Sequence, residues 1–157
     1  MRAAVAGARR PRFRKGGVRK SRERAAKLVG GYSEYAMYEL SVQRQFRATH
    51  AITMAGVREP VHEHDWLVTV VVAGEKLDQD GLLCDFLVIQ RELDRIIGDL
   101  NERDLNATPP FDRVNPTAEH VARHIAEQAA EAMKSHATVS RVTVTEEPGC
   151  AATYRMS

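Results

Sequence analysis

Cysteine is nearly missing from this chain. Its two cysteines, Cys84 and Cys150, lie far apart and in no paired spacing, which excludes a disulfide scaffold and makes a reducing cytoplasm the expected compartment. Both are expected to be small apolar fillers. Long hydrophobic runs are missing too. The longest, Leu67 to Ala73, is interrupted by Thr69, whereas a membrane helix needs roughly 20 apolar residues, so no membrane partner is expected. The basic N-terminus is not followed by an apolar stretch, which argues against a secretory signal.

An excess of one charge is absent from the whole chain but not from its parts. The net charge is only +2, yet residues 1–36 hold eleven Lys/Arg against two Asp/Glu, and the rest holds twelve against nineteen. Residues 1–36 are rich in Gly, Ala and Arg and lack apolar periodicity, so a basic, disordered extension is expected there. It can be read as a nucleic-acid-binding arm, as a transit-like leader, or as translation from an upstream start codon. The last is favoured, because Met37 stands directly before the first strand-like segment. What remains, 37–157, is of a size and composition, 43% hydrophobic and 28% charged over the whole chain, that suits one domain with one site.

From Tyr38 the sequence alternates apolar and polar residues through Leu40 and Val42 to Phe46, predicting a strand that ends near His50. Ala51 to Pro60, with Gly56, reads as a loop. Alternation resumes at His62 and runs through Trp66, Val68, Val70 and Val72 to Ala73-Gly74. A polar turn over 75–81 precedes Phe86, Ile89, Leu93, Ile96, Ile97 and Leu100, whose three- and four-residue steps predict an amphipathic helix capped by Asp85. A proline-bearing loop leads to a second helix from near Thr117, with Val121, Ile125, Ala129 and Met133 on one face. Val139, Val142 and Val144 make a third strand, and a short last strand passes through Ala152 and Tyr154. The order predicts an α+β domain, helices on one face of an antiparallel sheet.

His62 and His64 are two apart on a predicted strand, so their rings share a face with Cα atoms about 6.6 Å apart. If the first two strands pair, His50 joins them. Three imidazoles with an open position are a catalytic zinc arrangement. A His-x-His pair by itself also fits a solvated strand face. His120 and His124, four apart but without the Glu of His-Glu-x-x-His, read as an ordinary helix surface.

Phe46-Arg47-Ala48-Thr49-His50, His62-Glu63-His64-Asp65-Trp66 and Gly81-Leu82-Leu83-Cys84-Asp85-Phe86 resemble the Phe-x-Ala-x-His, His-Gly-His-Asn and Gly-(x)3-Asp-Phe segments of the 6-pyruvoyl- and 6-carboxytetrahydropterin synthases. Asn115-Pro116-Thr117-Ala118-Glu119 and the Val-x-Val-x-Glu of Val142 to Glu146 extend the resemblance over 37–157. It implies the tunnelling fold, with a four-stranded antiparallel sheet, two helices on one face, and subunits assembled as barrels, usually hexamers, with shared sites. The implied substrate is 7,8-dihydroneopterin triphosphate, in folate or queuosine biosynthesis. His50, His62 and His64 would bind zinc, and zinc would hold the side-chain hydroxyls of the pterin. Glu146 would anchor the pterin ring and serve as a catalytic residue, with Thr117 near the ring.

Two segments depart from that pattern. Where these synthases carry a catalytic cysteine, this chain has Gly56-Val57-Arg58-Glu59-Pro60-Val61. It resembles a subclass in which a glutamate three residues before the first histidine of the pair replaces the thiol and the product is 6-hydroxymethyl-7,8-dihydropterin. Glu59 occupies that place. The Leu-Asp-His relay appears as Leu100-Asn101-Glu102, putting Glu102 in the position of the catalytic histidine. If Glu102 approaches Glu59, repulsion would raise one of the two pKa values and make that group an acid. The alternatives to a zinc lyase are a non-catalytic pterin-binding homologue, or a nucleic-acid-associated protein acting through its basic tail.

Overall fold

Two runs of alternating apolar and polar residues pair along their whole length and organise everything else. The computed structural model describes residues 37–157 and, before them, only the backbone of residues 28–29 and 32–33. Those four pair antiparallel as β1 (Leu28–Val29) and β2 (Tyr32–Ser33). The expected disorder of 1–36 otherwise lies outside the described residues. Tyr35–Ser157 forms a compact unit of its own.

In that unit, β3 (Tyr38–His50) and β6 (His62–Gly74) pair antiparallel from Tyr38↔Gly74 to His50↔His62, with the boundaries that the alternation predicts. Between them the expected loop contains a small hairpin, β4 (Thr53–Met54) and β5 (Val57–Arg58). Ala55 and Gly56 at its tip both take positive φ, 48° and 82°, a conformation that glycine adopts without steric cost. Beyond β6 come α1 (Phe86–Gly98), β7 (Arg103–Asp104), α2 (Ala118–Met133), β8 (Thr138–Glu147) and β9 (Cys150–Arg155). The sheet order is β7-β3-β6-β8-β9. The sheet therefore has five strands, not four: the fifth is the two-residue β7, which runs parallel to Ala48 and Thr49 at the edge of β3. No apolar period in a segment that short announces a strand.

One face of the sheet is covered by both helices. Val42, Phe46, Trp66, Val68, Val70, Val142 and Val144 project from it and are buried against Ile89, Leu93 and Ile96 of α1 and Val121, Ile125, Ala129 and Met133 of α2. Phe46 and Trp66, direct partners across β3 and β6, stack with centroids 6.0 Å apart. The helix starts follow the capping logic. Asp85 accepts the Leu87 N–H at 2.8 Å, and Thr117 accepts the His120 N–H at 3.4 Å. Phe86 departs from the expected buried stripe. It is the first residue of α1 and is 47% exposed, with Leu82 and Leu87 exposed beside it. The opposite face is polar: Arg47 makes a forked pair with Asp65 at 2.9 and 3.2 Å, and Arg141 does the same with Glu39 at 2.6 and 2.9 Å. Among the described residues no helix is long and apolar enough to cross a membrane.

Candidate active site

The site grows from the end of the β3–β6 ribbon. Counting back from the core along the covered face, Trp66 is followed by His64 and His62, and the register sets His50 directly opposite His62. The three rings cluster edge to face, with centroids 4.6 Å (His50–His62), 5.2 Å (His50–His64) and 4.8 Å (His62–His64) apart. A fourth group comes from β8. Pairing between β8 and β9 shifts register between Thr145 and Glu147, and the extra residue, Glu146, turns its carboxylate to the histidines. Its Oε1 lies 2.9 Å from His50 Nε2 and 3.6 Å from His64 Nε2. One ligand atom from each of His50, His62, His64 and Glu146 falls within 4.8 Å of every other.

Hydrogen bonds at the backs of the rings fix which nitrogens face the centre. Nδ1 of His50 is 2.8 Å from the Pro116 carbonyl and Nδ1 of His62 is 2.9 Å from that of Pro60. A carbonyl only accepts, so each Nδ1 carries a proton, and in the neutral ring the lone pair is the one on Nε2. His50 is 1% exposed. Burial, the largest influence, pushes its pKa down toward the neutral form, against the Pro116 carbonyl and the Glu146 charge, which pull it up. Its Nε2 is buried without a hydrogen-bond partner. A neutral imidazole lone pair facing a carboxylate oxygen at 2.9 Å is two acceptors in contact, an arrangement that a bound cation relieves. The donor set, imidazoles and one carboxylate, fits a divalent metal.

Residues 39–157 match the sequence profile of the 6-pyruvoyl tetrahydropterin synthases. The chain belongs to that family. It is 31% identical over 127 residues to the 6-carboxy-5,6,7,8-tetrahydropterin synthase of Bacillus subtilis, covering 75% of this chain and 85% of that one. To the dihydroneopterin monophosphate aldolase of Pyrococcus furiosus it is 30% identical over 101 residues, 64% of this chain and 82% of that one. Its fold superposes on the 6-pyruvoyl tetrahydropterin synthase of Caenorhabditis elegans with a TM-score of 0.69 at 20% identity, over 78% and 97% of the two chains. It also matches the Plasmodium vivax 6-pyruvoyltetrahydropterin synthase, solved as a catalytic-residue mutant with glutamate changed to alanine, with a TM-score of 0.64 at 18% identity, over 78% and 99%. Family and His/Glu group together fit a pterin-processing lyase.

Of the other candidate residues, Glu59 approaches the histidines and Glu102 does not. Glu59 approaches the histidine group at His62. Its Oε1 accepts the Ile52 N–H at 2.8 Å and stands 3.7 Å from His62 Nε2. Glu102 is not in the group. It is exposed, with φ +57°, its N–H donates to the Arg47 carbonyl at 2.6 Å, and its charge acts on the Arg47 guanidinium. Thr117 lines a cavity of about 570 Å³ that also holds Ile52, Met54, Glu119, Glu146 and Cys150.

Glu119 is the residue that sequence reasoning passes over. Hydrogen bonds from its own backbone N–H and then from Thr117 hold its carboxyl below the ordinary value, so a second anchored carboxylate faces the cavity beside Glu146. The signal lies in Thr117-Ala118-Glu119, an acid in the first turn of a capped helix. Cys150 is exposed and not an apolar filler, because it opens β9 at the hairpin with β8. Cys84 is half-buried, and burial pushes its thiol pKa up. His120 and His124 are more than helix surface. Nδ1 of His120 is 2.8 Å from the Asn115 carbonyl, and His124 packs edge-on against Phe111 at 5.3 Å, with burial driving its pKa down.

Proposed function

We propose that this chain is a zinc-dependent lyase that cuts the side chain of a phosphorylated 7,8-dihydroneopterin, the triphosphate in particular, to give 6-hydroxymethyl-7,8-dihydropterin. The observation that carries this reading is the Glu59 carboxylate, held by the Ile52 N–H at the rim of a three-imidazole group. A catalytic glutamate in the Plasmodium vivax relative and the aldolase activity named for the Pyrococcus furiosus relative support it. His50, His62 and His64 would hold zinc, with Glu146 beside them, and the ion would supply Lewis acidity to oxygens of the substrate side chain.

The protein's own residues account for the other steps. A carboxylate is a weak base toward C–H but an adequate one toward a polarised hydroxyl. Glu59 takes the proton of a side-chain hydroxyl, and that oxygen becomes the carbonyl of the departing aldehyde. The C–C bond breaks, and its electron pair passes to the carbon attached to the pterin ring. Glu59 then returns the proton to that carbon, so atoms and electrons balance without a co-reactant. Glu119 and Glu146 offer carboxylates to the N–H and amino edge of the ring, which matches a carboxylate as a guanidinium does, and Thr117 lies at the same wall. Glu102 has no step on this subunit. Subunits would join edge to edge through β9, an outer strand, as copies of this chain in a cytoplasmic hexamer.

Zinc-loaded protein incubated with 7,8-dihydroneopterin triphosphate should yield 6-hydroxymethyl-7,8-dihydropterin by mass spectrometry. Glu59→Ala should abolish turnover while keeping zinc and pterin binding, because the carboxylate acts in the chemical step. An alanine variant at the wild-type rate would overturn the assignment, and a wild type that binds the pterin without consuming it would make the protein a pterin binder.

A further inference from the structure

We propose that Asn106 and Asn115 are positioning residues that fix the Ile52 peptide and through it set Glu59 against the metal group, an inference that rests on the function proposed above. Among the described residues, the chain that continues beyond the end of β3 at His50 has no neighbouring strand on the side where β7 pairs with Ala48 and Thr49. Backbone N–H and C=O groups left open there would go unpaired. Asparagine amides take the place of the missing strand. At Ala51 the N–H donates to Asn106 Oδ1 at 2.7 Å and the carbonyl accepts from Asn106 Nδ2 at 2.9 Å. At Thr53 the same two bonds run to Asn115, at 2.9 and 3.0 Å.

The residue between the two clamps is Ile52, whose backbone faces the other way, as alternate residues in an extended chain do. Its N–H donates to Glu59 Oε1 at 2.8 Å and its carbonyl accepts the Glu59 N–H at 3.1 Å. Ile52 is thus the only peptide that grips both ends of Glu59 among the described hydrogen bonds, and it is pinned on each side by a two-pronged amide. Asn115 is itself held, since its carbonyl meets His120 Nδ1 at 2.8 Å and accepts the Thr117 N–H at 2.8 Å. The chain of contacts runs from the start of α2 through Asn115 to Ile52, Glu59 and His62. Neither asparagine reaches the metal group or Glu59 directly.

Removing one clamp should loosen the Ile52 peptide without touching the histidines. An ångström of misplacement at a reacting group costs on the order of 100-fold in rate. Zinc-loaded Asn106→Ala and Asn115→Ala are expected to lose roughly 10- to 100-fold in kcat, with KM for the dihydropterin triphosphate within about threefold of wild type and one zinc per subunit retained. Amide hydrogen exchange should rise at Ala51, Ile52 and Thr53 and stay unchanged in β6. Wild-type kcat in both variants, or a loss seen only in KM or only through lost zinc, would overturn the proposal. Should the variants fail to fold, exchange in the wild-type holoprotein decides. Ala51 and Thr53 amides that exchange slowly support the clamps, and exchange as fast as at an open edge refutes them. A wild type without turnover would fail the function proposed above, and the exchange measurement would still test the clamps.

Discussion

His50, His62 and His64 differ in how much water reaches them, with side-chain exposures of 1%, 39% and 10%. His62 and His64, neither fully buried nor part of the hydrophobic core, are the cleaner probes of the proposed metal site. His62→Ala and His64→Ala should each bring zinc from about one per subunit to none, since two imidazoles rarely hold the ion against water; unchanged metal in both by atomic emission would remove the site. His124 gives a second test. Burial lowers its pKa, so the folded protein binds fewer protons there than the unfolded chain does. Stability should therefore fall as pH drops through the ordinary histidine value of about 6.5 and level off below the folded value. His124→Gln should flatten that slope in melting curves between pH 8 and 5. The shared face of His62 and His64 was legible from their two-residue spacing, whereas their reading as a metal set with His50 rested on the strand pairing and the family resemblance. The position of Glu146 among them was not legible, because it depends on a register slip that alternation does not encode, and Glu119 was hidden in a segment that reads first as a helix start.

Helices α1 and α2 were legible for the reason that makes them stable, an apolar stripe at helical period facing the sheet. Ile125, fully buried, should cost about 2–5 kcal/mol as alanine, whereas exposed Phe86→Ala should fall within about 0.5 kcal/mol; urea unfolding distinguishes them. Thr117→Ala should cost about 1 kcal/mol through loss of the α2 cap. The β4–β5 hairpin and β7 escaped prediction because two-residue strands have no measurable period. Their places are set by side-chain amides and by a parallel pairing with β3, contacts between segments more than 40 residues apart in sequence. The elements nearest the chemistry are therefore the least visible in local pattern.

The domain from Tyr35 to Ser157 holds its own core, so removing residues 1–36 should leave its melting temperature unchanged; a large drop would show that they contribute to it. Sedimentation at micromolar concentration should find an oligomer, with a hexamer expected, and a monomer would argue against a shared site. At this scale the α+β order was legible in the alternation of strand and helix periods, while the fifth strand and the edge contacts arise only in the folded chain. The full-length pairing of β3 with β6 also has a consequence for how the chain folds. Sliding one strand by a single residue would turn His62 and His64 to the polar face while His50 stayed on the covered one. Such a misaligned chain could bind no ion at this centre. An ion that binds the correct alignment alone would stabilise it by mass action, so metal supply during folding would select against chains whose two long strands had paired out of step.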